Sequence, residues 1–341
     1  TSDMEIKFER FHLQADLLSP LKEFESVSVP TEVRIDPLTK RRSRIITWSL
    51  PPTGKFDFSQ LMAESKECFF CPEHVLSKTP KFPKEIIPEG RISMGKAVGF
   101  PNLSPVGTYG SVVVLCREHF LHLNQFTPEI YEEALSLSVE IIRRIMAFDP
   151  DTRYWQISQN FLLPGGSSIL HPHLQVIGDP IPTNEMEWLL DASSSYYYRN
   201  KALYWNDLIQ IEQGLGKRFI ASTGKIHWFV PFAPIGFNEV CGSIEGHSSI
   251  TTLGSEEINS LAKGIVSTLK YYEDKGLNSF NFSIYSIASE FAFQPLIRII
   301  SRTPIQSFYL NDWTSFEVLH SELTSNIVPE ELCREIRPYF A

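Results

Sequence analysis

The 341-residue chain carries 31 Lys and Arg against 40 Asp and Glu, a net charge of -9 with a pI near 5.5. That balance excludes the broad basic field of a duplex-DNA or anionic-membrane binder. With 43% apolar and 12% aromatic residues the chain can bury one large core or two linked halves, and no apolar run approaches the ~20 residues of a bilayer span.

Residues 1–10 are charged rather than signal-like, so a cytoplasmic location is expected. Residues 27–60 hold strand-like stretches such as Ile45-Ile46-Thr47-Trp48, separated by turns at Asp36-Pro37 and Pro51-Pro52-Thr53-Gly54. A segment rich in Pro and Lys at 78–88 precedes Gly99-Phe100-Pro101-Asn102-Leu103-Ser104-Pro105, whose turn residues predict a loop. Val112-Val113-Val114-Leu115 predicts a buried strand. Thr127 can then cap a helix that Pro128 and Glu129 favour at its start, with apolar residues at helical spacing predicting helix over 128–147. Trp155-Gln156-Ile157-Ser158 alternates as a strand, and Pro164-Gly165-Gly166-Ser167-Ser168 breaks the chain before His171.

The second half repeats this order. His119 precedes Thr127 by eight residues and His247 precedes Ser255 by eight; each leads into a helical pattern and then a β-rich run, at 154–158 and 280–285. Extending the match sets 171–175 opposite 298–302, so the second copy keeps a scaffold and lacks the histidines.

Two groups of residues carry chemistry. On an extended segment His171 and His173 share one face, and Pro172 between them suits a sheet edge better than a helix. The Gly-Ser run upstream offers N–H and hydroxyl groups for phosphate oxygens, Gln175 adds an amide, and a neutral imidazole is a good nucleophile toward an α-phosphate. A His-x-His pair alone also fits a structural or plain metal pair. Five cysteines are too sparse for a disulfide framework, but Cys68-Phe69-Phe70-Cys71-Pro72 has knuckle spacing. A zinc there needs two further ligands, with His74, His119, His122 and His171 as candidates; a redox pair or two core cysteines are the other readings.

Taken together, these residues resemble the galactose-1-phosphate uridylyltransferase family of the histidine-triad superfamily. Arg34-Ile35-Asp36-Pro37-Leu38-Thr39, the Cys68/Cys71 knuckle, Phe100-Pro101-Asn102-Leu103-Ser104-Pro105, Glu118-His119 and the set Asn160, Gly166, Ser168, His171, His173 and Gln175 follow the family's order. The resemblance implies an α+β fold of two histidine-triad-like half-barrels of antiparallel sheet with packed helices, from an internal duplication. The first, residues 1–200, would hold the zinc knuckle and catalytic arm; the second, 201–341, would lack the second His-x-His. It further implies one structural zinc on Cys68, Cys71, His119 and His171, with His173 as nucleophile. Asn160, Gly166, Ser167, Ser168 and Gln175 would hold phosphates, and Asn102 would face the nucleotide.

The partners implied are a nucleoside diphosphate sugar and a sugar 1-phosphate, in a homodimer without nucleic acid or membrane. The closest alternatives are a phosphorylase of an ADP-sugar or of diadenosine tetraphosphate, and a nucleotide-binding protein without catalysis. The sequence departs from the family in the second half. No second metal is expected there, Phe316-Glu317 matches the hexose segment only in part, and Arg298 and Arg302 are candidate replacements for missing phosphate-binding charge.

Overall fold

The computed structural model describes residues 6–46, 56–65, 67–306 and 311–341. The expected turn at 51–54, and Thr47 and Trp48 of the expected strand, lie outside the described residues. In chain order the first elements are β1 (Arg10–Ser19), β2 (Glu25–Ile35), β3 (Arg42–Ile45), α1 (Ser59–Glu64) and α2 (Pro72–Lys78). Next come β4 (Ile92–Met94), β5 (Ala97–Pro101), β6 (Tyr109–Val114), α3 (Pro128–Phe148), β7 (Tyr154–Phe161) and β8 (His173–Asp179). The helices α4 (Asn184–Asn200) and α5 (Tyr204–Leu215) follow. The rest comprises β9 (Phe219–Thr223), β10 (Ile226–Phe229), β11 (Phe237–Ile244), α6 (Ser255–Asp274), β12 (Phe280–Ile287), β13 (Leu296–Ser301), α7 (Ser315–His320), β14 (Leu323–Ser325) and α8 (Pro329–Ile336).

The repeat seen in the sequence is visible in the strand order. The main sheet is open and ten-stranded, β4-β5-β6-β8-β7-β12-β13-β11-β10-β9, so each half contributes five antiparallel strands in the same connectivity and the halves join between β7 and β12. A smaller sheet, β1-β2-β3-β14, ties the N-terminal strands to the C-terminal region through a parallel β3–β14 pair.

The two long helices form where the sequence placed them. Thr127 Oγ1 accepts from Ile130 N–H at 3.4 Å and Pro128 opens α3; α6 instead has Gly254, not Ser255, at its cap, with Glu257 accepting from Gly254 N–H at 3.0 Å. Both helices cover one face of the sheet. Their core takes the alternate residues Trp155, Ile157 and Phe161 of β7 with Phe280, Phe282 and Ile284 of β12. The expected loop at 99–105 begins as strand, because Gly99 and Phe100 pair with Val113 and Val112 of β6.

Trp228 of β10 is fully buried against α6, and a Cβ on Gly264 would collide with its ring. This explains a glycine in mid-helix, where it otherwise costs about 1 kcal/mol relative to alanine. Gly264→Ala is therefore expected to destabilise the protein by about 1–3 kcal/mol through overpacking, read by urea unfolding. A variant more stable than the parent would show that the ring yields freely.

The outer face of the sheet differs between the halves. In the second half α4 and α5 cover it, packing Leu189, Tyr204, Trp205 and Leu208 on Phe229, Cys241 and Leu296. In the first half the same face carries a small cluster of Phe70, Val75, Phe100, Val112 and Val114 beside Cys68.

The register corrects one expectation. Leu115 N–H donates to Pro172 O at 3.0 Å and Ile244 N–H donates to Pro295 O at 3.1 Å, in matching places beside β8 and β13. The counterpart of His171-Pro172-His173-Leu174-Gln175 is thus Gln294-Pro295-Leu296-Ile297-Arg298, which starts four residues before the expected Arg298. Arg298 is the counterpart of Gln175, not of His171.

Candidate active site and metal centre

Cys68 and Cys71 bracket a tight turn in which Cys71 N–H donates to Cys68 O at 3.2 Å and Phe70 N–H to Cys68 Sγ at 3.4 Å. Pro72 then starts α2, so the knuckle is set by the turn and the helix start together. His119 comes from the segment after β6 and His171 from the residues before β8. The ligand atoms of Cys68, Cys71, His119 and His171 all lie within 4.8 Å of one another.

Hydrogen bonds decide which ring atoms face the cluster. His171 Nε2–H donates to Cys116 O at 2.9 Å, and His119 Nε2 lies 2.8 Å from Ser65 Oγ, which leaves both Nδ1 atoms toward the sulfurs. Cys71 Sγ is 3.4 Å from His119 Nδ1 and 3.7 Å from His171 Nδ1, and Cys68 Sγ is 4.0 Å from the latter. A tetrahedral zinc with bonds of about 2.0–2.3 Å spaces its ligands about 3.3–3.8 Å apart; two of these three separations fall in that range and the third lies just beyond it, so the four residues could hold one such ion after a small inward shift. Burial holds His171 down at about 4 and His119 below its usual value, keeping both imidazoles neutral, the ligand form. Burial and the adjoining Cys68 push the Cys71 thiol up to about 11, so metal binding there releases a proton.

His173 opens β8, directly across from Val114, while Gln175 lies between Val112 and Ser158. The imidazole is 8% exposed and meets the edge of Phe70 with ring centroids 5.2 Å apart. Its Nδ1–H donates to His171 O at 2.8 Å. A carbonyl only accepts, so Nδ1 carries the proton and Nε2 keeps its lone pair, with no hydrogen bond among the described residues. Burial lowers its pKa and favours this neutral form.

The Gly-Ser segment wraps below this arm in a way the sequence did not show. Gly166 N–H donates to Leu163 O at 2.9 Å, and Ser167 spends its N–H on Leu162 O at 3.0 Å and its hydroxyl on Ile169 O at 2.7 Å. Those groups are not free for phosphate. Gly166, at φ +82°, faces open space, whereas a Cβ on Gly165 would sit 2.8 Å from Phe280 O. The glycines therefore bring the backbone close to β12 on one side and leave room on the other. Ser168 and Ser167 line an open cavity of about 350 Å³ with Cys68 and His119. A second cavity of about 370 Å³, lined by Phe70, Val98, Val114, Lys96 and Arg117, borders the strand neighbour of His173.

Asn160 lies on β7, on the face of Ser158 and Gln175. Asn102 sits just past β5, where its Oδ1 accepts from Ser104 N–H at 3.0 Å. Three other candidates are committed to other partners. Arg298 is three strands from Gln175, about 14 Å across the sheet, and its buried guanidinium lies 3.4 Å from Glu239 and 3.8 Å from Glu185. Glu317 caps α7, accepting from Thr314 N–H at 2.8 Å and Thr324 Oγ1 at 2.9 Å. Arg302 forms a bidentate pair with Asp312, both contacts at 2.7 Å. The residues that sequence reading passed over are Phe70, which borders both rings of the His-Pro-His arm, Ser65 and the Cys116 carbonyl. Only Phe70 had a signal, as one of the two phenylalanines inside the knuckle.

An uncharacterised protein of Archaeoglobus fulgidus is 34% identical over 311 residues, covering 90% of this chain and 91% of its own length. No family model matches the chain. A GalT-like protein of Arabidopsis thaliana superposes with a TM-score of 0.69 at 17% identity, over 90% of this chain and 98% of its own. An ADP-glucose phosphorylase of the same plant, solved with bound ADP-glucose, gives the same values. A uridylyltransferase gives a TM-score of 0.65 at 20% identity with the same coverage. The chain belongs to one family with the Archaeoglobus protein, and its fold is a divergent version of the GalT-like, uridylyltransferase fold.

Proposed function

We propose that the protein is a zinc-containing nucleotidyltransferase that moves a nucleoside monophosphate from a nucleoside diphosphate sugar to a sugar 1-phosphate through His173. The observation that carries this reading is the single fixed tautomer of His173, with Nδ1–H tied to His171 O and the Nε2 lone pair free. Zinc on Cys68, Cys71, His119 and His171 would hold the arm in place and take no part in bond making.

In the first step the Nε2 lone pair forms a bond to the α-phosphorus, and the bond from that phosphorus to the bridging oxygen breaks. Its electrons leave with the sugar 1-phosphate. Positive charge developing on the ring is stabilised by the His171 carbonyl at Nδ1–H. In the second step a phosphate oxygen of the acceptor attacks the same phosphorus, and the N–P bond breaks with its electrons returning to Nε2. Gln175, Asn160 and Ser168 donate to phosphate oxygens, Gly166 admits the phosphate by lacking a side chain, and Asn102 faces the nucleotide. Arg298, committed to Glu239 and Glu185, takes no part.

Uridylyl transfer is the first reading, in a cytoplasmic homodimer. Adenylyl transfer from an ADP-sugar is the second, favoured by the likeness to a phosphorylase solved with ADP-glucose. Incubating metal-replete protein with α-labelled UDP-glucose or ADP-glucose, without acceptor, separates them. Acid-labile protein-bound label from UDP-glucose supports the first and from ADP-glucose alone the second, while none from either would count against covalent catalysis.

A further inference from the structure

Asn281 of β12 lies in register opposite Asn160 of β7, at the seam between the two halves. Its side chain has three close partners: Arg302 Nη1 at 2.8 Å, Gly165 O at 2.7 Å and Asn160 at 2.6 Å. An arginine can only donate, so the Asn281 atom facing it is Oδ1. A carbonyl can only accept, so the atom facing Gly165 O is Nδ2. Both ends give the same amide orientation, which removes the usual ambiguity of such groups. Since Asn281 Nδ2 also faces Asn160, the Asn160 atom there must be its oxygen, and the Asn160 NH2 group is turned away, without a partner among the described residues. The relay begins at Asp312, whose two oxygens hold Arg302 at 2.7 Å each.

From this geometry we infer that Asn281, fixed by Arg302, is a positioning residue for the phosphate site of the transfer proposed above, on which reading the inference rests. It sets Asn160 with its donor group, rather than its carbonyl oxygen, available to the α-phosphate, and it pins the Gly165 carbonyl so that the open side of Gly166 keeps its place. The second half of the chain, whose counterpart of the His-Pro-His arm carries no histidine, thereby orients a donor of the first. Among the described residues, no hydrogen bond of the relay involves Cys68, Cys71, His119, His171 or His173.

Asn281→Asp separates positioning from simple stapling of the halves. An aspartate keeps the contact to Arg302, now as an ion pair, but has no donor for Asn160 or Gly165. The Asn160 amide then turns its NH2 to the new carboxylate and its oxygen to the phosphate. The measurement is the single-turnover rate constant for labelling by the donor that labels the parent protein, with Asn281→Ala alongside. Unfolded protein lowers the amplitude of that reaction and not its rate constant, so loss of fold and loss of positioning are read apart. Expected is a fall in rate constant of about 10²-fold for Asn281→Asp, at least as large as for Asn281→Ala, with a smaller change in donor affinity. A rate constant at the parent value in Asn281→Asp would overturn the inference even while the parent labels normally, and failure of the parent itself to label would instead overturn the transfer reading beneath it.

Discussion

Turnover of a His173→Asn variant is expected to fall by about 10³-fold or more, with metal content and thermal stability close to those of the parent. Asparagine can keep a donor near the His171 carbonyl, which His173 Nδ1 now contacts at 2.8 Å, but it offers no lone pair in place of Nε2. The side chain is buried against Phe70 and is not one of the four candidate metal ligands, so the loss is expected to fall on bond formation to phosphorus. Because the first step is lost, exchange of label between donor and free sugar 1-phosphate should vanish together with net turnover. A variant retaining a tenth of parental activity would place the nucleophile elsewhere or make the transfer direct.

The second large effect concerns the knuckle. Cys68→Ser, or treatment with a strong chelator, is expected to remove the metal and lower the melting temperature by about 10 °C, since a structural zinc contributes binding energy only to the folded chain. With an ion bound, Cys68 and Cys71 would tie the start of α2 to the segments before β8 and after β6, and without it two thiols and two inward nitrogens share a largely buried space. Activity should fall as well, because His171, whose carbonyl fixes the tautomer of His173, loses its anchor. Metal analysis with calorimetry checks this; a variant that keeps about one zinc per chain would show the ligand set to be wrong.

Local rules made much of the fold and site legible. Thr127-Pro128-Glu129 marks the start of α3, which ends at Phe148, one residue past the expected position, and the alternation at 155–158 is the middle of β7. The duplication was visible because helix starts leave strong marks. Its register was not, since a strand period of two carries no marker along the chain, and extending the spacing of the helices to the arm placed the second one four residues too far along. The better marker was Pro172 and Pro295, each giving its carbonyl to the neighbouring strand.

Glu317 illustrates a different loss. Read by resemblance it belonged to sugar recognition, yet Thr314-Ser315-Phe316-Glu317 has the spacing of a helix capping box, and capping is what it does. Ser167 and Arg298 were read as phosphate-binding candidates for another reason. Whether a hydroxyl or guanidinium is free depends on partners far away or in the same turn, and here Ile169, Glu185 and Glu239 take them. The ring orientations of His171 and His173 depend likewise on carbonyls that sequence cannot assign.

Intact-mass and peptide analysis of metal-replete protein, after incubation with the labelling donor and no acceptor, bears most directly on His173. The expected result is one added nucleoside monophosphate per chain, acid-labile, on the peptide containing His173, released by a sugar 1-phosphate and missing from His173→Asn. Turnover without an adduct, or an adduct that persists in His173→Asn, would contradict the assignment.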